Sequence, residues 1–316
     1  MLLQITLLIL GFVLLLKGAD WLVDGASALA KQFNISDLAI GLTVVAFGTS
    51  APELVVNSFA SFQNHQDIVL GNVIGSNLFN LFAILGIAGL IAPLTVKSST
   101  VWKEIPFSLF ALIILIFLAN NFFNSGSAFI SRFDGLILLV FFILFLYYVY
   151  KQLKTEKFVT ETNHKKLSNL LIWVYLFVGL FGLVFGGKLV VNSAIYIAEV
   201  FGVSEKIIGL TIVAAGTSLP ELATSVVAVI KKNNDIAVGN IIGSNIFNIL
   251  FILPISALIK PVLYKIEFNT ELYLLAGGTL FLFVAMFTGK KKKLDKWEAG
   301  VLLSVFIIYT VILTTT

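Results

Sequence analysis

Apolar residues in this chain come in long runs, and polar residues are confined to the breaks between them. A helix that crosses the hydrocarbon layer of a bilayer needs about 20 mostly apolar residues. Runs of that kind lie near 2–30, 38–62, 68–90, 105–119, 133–150, 168–198, 206–230, 236–259, 271–288 and 297–313. The pattern predicts an all-α membrane protein with ten transmembrane helices. The first run lacks a basic start and outlasts the apolar stretch of a signal peptide, which keeps it among the spans.

The runs are not independent. Shifted by 168 residues, the sequence falls on itself: Gly48-Thr49-Ser50 meets Gly216-Thr217-Ser218, and Pro52-Glu53-Leu54 meets Pro220-Glu221-Leu222. Gly71-Asn72 and Gly75-Ser76-Asn77 meet Gly239-Asn240 and Gly243-Ser244-Asn245 in the same way. From Ile40 to Asn80 against Ile208 to Asn248 there are 23 identities in 41 positions without a gap. Shared hydrophobicity would match Leu and Val; it would not match Gly, Ser, Pro, Glu and Asn. The chain therefore reads as a duplication of five spans, with a first repeat over 1–150, a linker over 151–167 and a second repeat over 168–316.

Five is odd, so the second copy is expected to enter the membrane from the opposite face. The positive-inside rule then orients the whole. With both termini outside, the inner connections hold 15 of the 21 Lys and Arg residues and the outer ones four. Lys17 and Lys188 make up the remainder, inside spans. Residues 151–167 are expected in the cytoplasm, and the Lys290–Lys293 run reads as a cytoplasmic anchor.

Composition narrows the function. Hydrophobic residues make up 59% of the chain and charged residues 12%, with a mean hydropathy of +1.01. Soluble domains run near 25% charged, so soluble enzymes, nucleic-acid binders and disordered regulators are excluded. There is no cysteine, hence no disulfide and no thiolate metal site. The net charge of +4 adds nothing beyond where the lysines sit. Membrane lipid is the only macroscopic partner implied; neither a cofactor nor an obligate protein partner is.

Inverted repeats are the mark of secondary transporters, whose site lies where the repeats meet near the midplane. The second and seventh spans each place a carboxylate there, Glu53 and Glu221. A carboxylate at that depth is costly and therefore functional by default. Both sit in a Gly-Thr-Ser-X-Pro-Glu frame, in which Pro52 and Pro220 have no N–H for the carbonyls near Gly48 and Gly216. Non-helical backbone survives at this depth only where it lines a cavity or is enclosed by protein. Freed carbonyls, the hydroxyls of Thr49, Ser50, Thr217 and Ser218, and two carboxylates form a hard oxygen set suited to Ca²⁺ or Na⁺. With no histidine in a span and no thiol, soft metals fit poorly. In the third and eighth spans Ser76 and Asn80, and Ser244 and Asn248, stand four apart on one helical face. Gly71, Gly75, Gly239 and Gly243 make faces that let helices approach closely.

At these residues the chain resembles the prokaryotic sodium/calcium exchangers of the calcium/cation antiporter superfamily. The two hallmark copies read GLTVVAFGTSAPEL with GNVIGSNLFN, and GLTIVAAGTSLPEL with GNIIGSNIFN. The resemblance implies ten helices in two inverted halves, with long, sloping first and sixth helices that slide across a fixed core. It also implies an ion site made by Glu53 and Glu221, side-chain oxygens of Thr49, Ser50, Thr217, Ser218, Ser76 and Ser244, and carbonyls of Ala46 and Ala214. One departure stands out: some archaeal and potassium-dependent relatives carry Asp where this chain has Asn248. Here Asn80 and Asn248 are both neutral, which removes a third carboxylate and argues against potassium coupling. Proton-coupled calcium exchangers of the superfamily lack the Gly-Thr-Ser-X-Pro-Glu frame. Na⁺-driven, electrogenic Ca²⁺ antiport is the leading expectation, and a Ca²⁺/H⁺ or K⁺-dependent exchanger the alternative.

Two other classes compete on the residues. An intramembrane hydrolase using Ser50 or Ser218 needs a base within reach, and neither His nor Lys stands near these serines in the sequence. A channel shares the ligands but not saturable counter-transport. Asp20 and Asp24 align with Lys188 and Asn192 under the repeat shift, so Asp20 either meets Lys188 across the repeats or simply snorkels to the interface. His65 and His164 fall in connections and read as solvated.

Overall fold

The computed structural model describes residues 1–120, 129–155, 168–202, 214–289 and 292–315. Helix α1 (Leu2–Gln32) has 31 residues and α7 (Asn169–Val200) has 32, with no proline in either. At 1.5 Å per residue each runs about 47 Å, well beyond the ~30 Å hydrocarbon layer. A helix that outlasts the layer is accommodated by tilting, kinking or locally thickening the bilayer.

The second expected span, 38–62, is two helices rather than one. α2 (Asp37–Thr49) starts at Ser36, whose hydroxyl accepts the N–H of Ala39 at 3.3 Å. A π turn over Gly41–Val45 interrupts it. α3 (Ala51–Phe62) leaves Ser50 at an angle of 46°. Pro52 sits in the first turn of α3, where its missing N–H costs nothing. α4 (Gln66–Ile91), α5 (Thr100–Ala119) and α6 (Arg132–Thr155) complete the first half. In the second half α8 (Ala214–Gly216) and α9 (Leu219–Ile230) repeat the break, again with proline in the first turn after it. α10 (Asn234–Ile259), α11 (Ile266–Ala285) and α12 (Lys296–Thr315) follow.

Among the described residues eight helices are long and apolar enough to cross a membrane, and α2 with α3 forms a ninth, broken span. The expected span 206–230 begins in residues outside the described set; α8 and α9 are its described part. Most of the expected linker 151–167 also lies outside that set, as does His164. His65 is exposed between α3 and α4.

α4 and α10 form the centre. In their most apolar stretches 78% and 83% of residues are buried, against 17% in α12. Around them α1 and α7 lie against each other along a glycine seam. A Cβ at Gly18 would stand 2.7 Å from the Gly179 carbonyl, and one at Gly179 2.7 Å from the Leu22 nitrogen. Backbones this close exclude any side chain, which is the use of small residues in membrane packing. The expected close approach also holds where α10 meets α2: a Cβ at Gly243 would be 2.8 Å from the Leu42 carbonyl. For Gly71 and Gly75 no described atom lies within 4 Å.

Two short antiparallel ladders tie connections of one half to the other, a detail that apolar runs do not announce. β1 (Leu94–Thr95) pairs with β4 (Lys293–Leu294), and β2 (Phe129–Ile130) with β3 (Val262–Leu263).

Candidate cation site

The breaks between α2 and α3 and between α8 and α9 bring the two signature frames together at the centre. Glu53 and Glu221 each lie in the first turn after their break, and each is 1% exposed. The bonds cross between the halves. Ser50 donates to Glu221 Oε1 at 2.9 Å, and Ser218 donates to Glu53 Oε1 at 3.3 Å. Thr49 donates to Asn240 Oδ1 at 3.0 Å, and Thr217 to Asn72 Oδ1 at 3.2 Å. Every one of these bonds has its counterpart under the 168-residue shift.

A hydroxyl has one proton and two lone pairs. With their protons assigned to Glu and Asn acceptors, the four hydroxyls keep lone pairs free. The second oxygen of each carboxylate, Oε2, is buried without a hydrogen-bond partner. So are Ser76 Oγ, both amide atoms of Asn80, and Asn248 Oδ1. Ser244 instead reaches Glu221 Oε1 at 3.5 Å. Asn80 and Asn248 both lie in π turns, Phe79–Ile84 and Asn248–Ile252, a helix irregularity common at functional sites.

Buried polar atoms are nearly always satisfied, so unpartnered oxygens on both central carboxylates make this a candidate place for a bound cation. Neither carboxylate pairs with a described cationic side chain. Two buried carboxylates without a countercharge are expensive in a low-dielectric interior, and an oxygen-seeking cation relieves that cost. Among the described residues no group of three or more His, Cys, Asp or Glu side chains forms a metal cluster. Oxygens from hydroxyls and amides, not a third carboxylate, would complete the shell.

The expected Ala46 carbonyl is partly engaged: it accepts the Ser50 N–H at 3.0 Å and lies 3.3 Å from the Thr49 hydroxyl. Ala214 begins α8 at the edge of the described residues. Three asparagines that the ligand list omits turn out to organise the site. Asn240 receives Thr49 and donates to the Glu221 carbonyl at 3.3 Å and to Ser225 at 3.0 Å. Asn72 receives Thr217 and donates to Asn57 at 3.1 Å. Asn77 contacts Asn248. Their signal was present in the sequence, since Asn72 and Asn77 repeat as Asn240 and Asn245. Asn57 and Ser225 differ between copies and gave none.

Of the two alternatives for Asp20, contact with Lys188 or snorkelling to the interface, the contact with Lys188 is not formed. Lys231, at the end of α9, pairs with Asp20 at 2.7 Å and with Asp24 at 2.6 Å. Lys188 is exposed on α7. The repeat shift pairs positions by alignment; which helix end lies beside Asp20 depends on how α1 crosses α9.

Comparison with known proteins finds relatives over essentially the whole chain. The family described as "Sodium/calcium exchanger protein" matches residues 3–151 and 171–315. The putative antiporter CaxA of Alkalimonas amylolytica is 38% identical, the match covering 99% of each chain. The sodium/calcium exchanger MaX1 of Methanosarcina acetivorans is 30% identical, the match covering 97% of each. The solved sodium-calcium exchanger NCX_Mj, soaked with Na⁺ and Ca²⁺, superposes with a TM-score of 0.81 at 33% identity over 98% of each chain. MaX1 and NCX_Mj are named as sodium/calcium exchangers and CaxA as a putative antiporter, and the matches run essentially end to end. The chain belongs to the sodium/calcium exchanger family.

Proposed function

We propose that this protein is a secondary antiporter that exchanges Na⁺ for Ca²⁺ by alternating access, electrogenically and without K⁺. The observation that carries the reading is the pair of buried carboxylates, each with one oxygen unpartnered, ringed by hydroxyl and amide oxygens. Glu53 and Glu221 would offset the charge of one Ca²⁺. Ser76, Ser244, Thr49, Ser50, Thr217, Ser218, Asn80 and Asn248, with the Ala46 and Ala214 carbonyls, would complete shells for Ca²⁺ or, in its place, several Na⁺. If more than two Na⁺ replace each Ca²⁺, the cycle moves charge and responds to voltage. Asn248 cannot ionise, so K⁺ or a proton gains no carboxylate there.

The same reading takes the chain as ten helices in two inverted halves of five, with both termini outside and residues 151–167 in the cytoplasm. The reciprocal hydrogen bonds between the signature frames support the two-fold relation. A cysteine placed at Thr160 is expected to resist an impermeant thiol reagent in intact cells; labelling there contradicts the orientation.

The function is tested in proteoliposomes by Na⁺-gradient-driven ⁴⁵Ca²⁺ uptake. Uptake is expected to follow a potential set by a K⁺ gradient with valinomycin and, in separate vesicles free of K⁺, to proceed with choline in its place. Indifference to the potential refutes electrogenic exchange, and uptake driven by a pH gradient without Na⁺ refutes Na⁺ coupling.

A further inference from the structure

An amide offers a cation either an oxygen that binds it or an NH₂ group that repels it. Which end Asn248 presents depends on what holds the other end. The main-chain carbonyl of Asn245 can only accept, and Asn77 Nδ2 donates to it at 3.3 Å. That orientation turns Asn77 Oδ1 toward Asn248, whose Nδ2 donates to it at 2.9 Å. Asn248 Oδ1 therefore faces away from Asn77, and it is buried with no protein partner. Asn77 and Asn248 are each 1% exposed, so water does not scramble the arrangement. A backbone carbonyl thus decides one amide, which decides the next.

The repeat copy lacks this relay. Under the 168-residue shift the matching contact would join Asn80 to the Asn245 side chain. Neither amide atom of Asn80 has a partner, and Asn245 Oδ1 has none. Identical residues are oriented in one half of the site and left unoriented in the other.

We propose that Asn77 is a positioning residue that commits Asn248 to bind the transported cation through its oxygen. This rests on the reading of Asn248 as a ligand given above. A carboxylate at position 248 would carry two oxygens and no donor, and it would not depend on Asn77 for its orientation.

That difference is the test. Asn77→Leu, which keeps the branched shape at a larger volume, and Asn77→Ala, which is smaller, are each made in the natural chain and in an Asn248→Asp background. Size-exclusion profiles identify the folded variants; Asn77→Ser, smaller but still an acceptor, replaces any that aggregate. Half-saturating Ca²⁺ and maximal rate are read from Na⁺-driven ⁴⁵Ca²⁺ uptake, and ⁴⁵Ca²⁺ binding from filtration of the purified protein. Loss of an outer-shell partner costs a ligand roughly 10–100-fold in affinity. In the natural chain half-saturating Ca²⁺ is expected to rise about tenfold with a smaller change in maximal rate. In the Asn248→Asp background the rise is expected to be a small fraction of that. Equal rises in the two backgrounds overturn the proposal, because Asn77 would then act on packing alone. Asn248→Leu separates the two readings. If it leaves half-saturation unchanged, Asn248 is no ligand and the site reading fails at that residue; if it weakens binding while the Asn77 variants do not, only the positioning role fails.

Discussion

Glu221 has two hydroxyls turned on one of its oxygens, Ser50 at 2.9 Å and Ser244 at 3.5 Å, whereas Glu53 has Ser218 alone at 3.3 Å. Ser76, the counterpart of Ser244, has no partner. Asn248 is tied through its nitrogen to Asn77, and Asn80 is tied to nothing. At all of these positions the two copies carry the same residue. Ser76 and both amide atoms of Asn80 carry no hydrogen bond in the copy that holds Glu53, whereas the Ser244 hydroxyl and the Asn248 nitrogen are engaged in the copy that holds Glu221. Repetition of a motif thus does not repeat its hydrogen bonds: Ser244 turns to Glu221 within its own copy and Asn248 to Asn77 across the copies, whereas Ser76 and Asn80 make no equivalent bond.

The most severe way to break this comparison is to neutralise each carboxylate. Glu53→Gln and Glu221→Gln are each expected to abolish Na⁺-driven ⁴⁵Ca²⁺ uptake while the protein stays monodisperse on size exclusion. Robust exchange in either variant removes that carboxylate from the site.

Gly243→Val attacks what wires one half. Its Cβ would press on the Leu42 carbonyl at 2.8 Å and on Ala46 Cβ at 2.7 Å, driving α10 from α2 and stretching the Thr49–Asn240 bond. Overpacking of this kind costs roughly 1–3 kcal/mol, so a melting temperature lower by several degrees and weaker Ca²⁺ binding are expected. Unchanged melting and binding would show that the seam yields freely.

Serine removal sharpens the comparison. Ser76→Ala deletes an unengaged oxygen and Ser244→Ala one already shared with Glu221. Half-saturating Ca²⁺ is expected to rise more for Ser76→Ala. Equal rises in uptake assays would mean that the half-sites are equally prepared, and the reverse order would overturn the comparison.

The smallest effect is expected at the periphery. The Lys231 ion pairs with Asp20 and Asp24 are partly exposed, and such pairs contribute about 0–1 kcal/mol. Lys231→Gln should lower the melting temperature slightly at low salt and not at high salt. Lys188→Gln should leave it unchanged at both. A salt-independent loss would point to packing of the lysine stem instead.

The sequence by itself determined the apolar runs, the 168-residue repeat, the breaks at Pro52 and Pro220, and the two carboxylates that meet at the centre. Those follow from local rules: a span has a fixed minimum length, proline cannot donate, and a buried charge in both copies of one frame marks a shared purpose. Glu53 and Glu221 were legible because lipid makes a carboxylate conspicuous. The wiring was not. Thr49 finds Asn240, Ser50 finds Glu221, and Asn248 finds Asn77 across more than 165 positions of chain. A hydrogen bond is settled by tenths of an ångström, and those distances exist only once α2, α4, α9 and α10 have packed. The same holds at the rim, where alignment paired Asp20 with Lys188 but the crossing of α1 over α9 handed it Lys231. Residue identity decided which atoms were available, and tertiary packing decided which of them were left free to hold a cation.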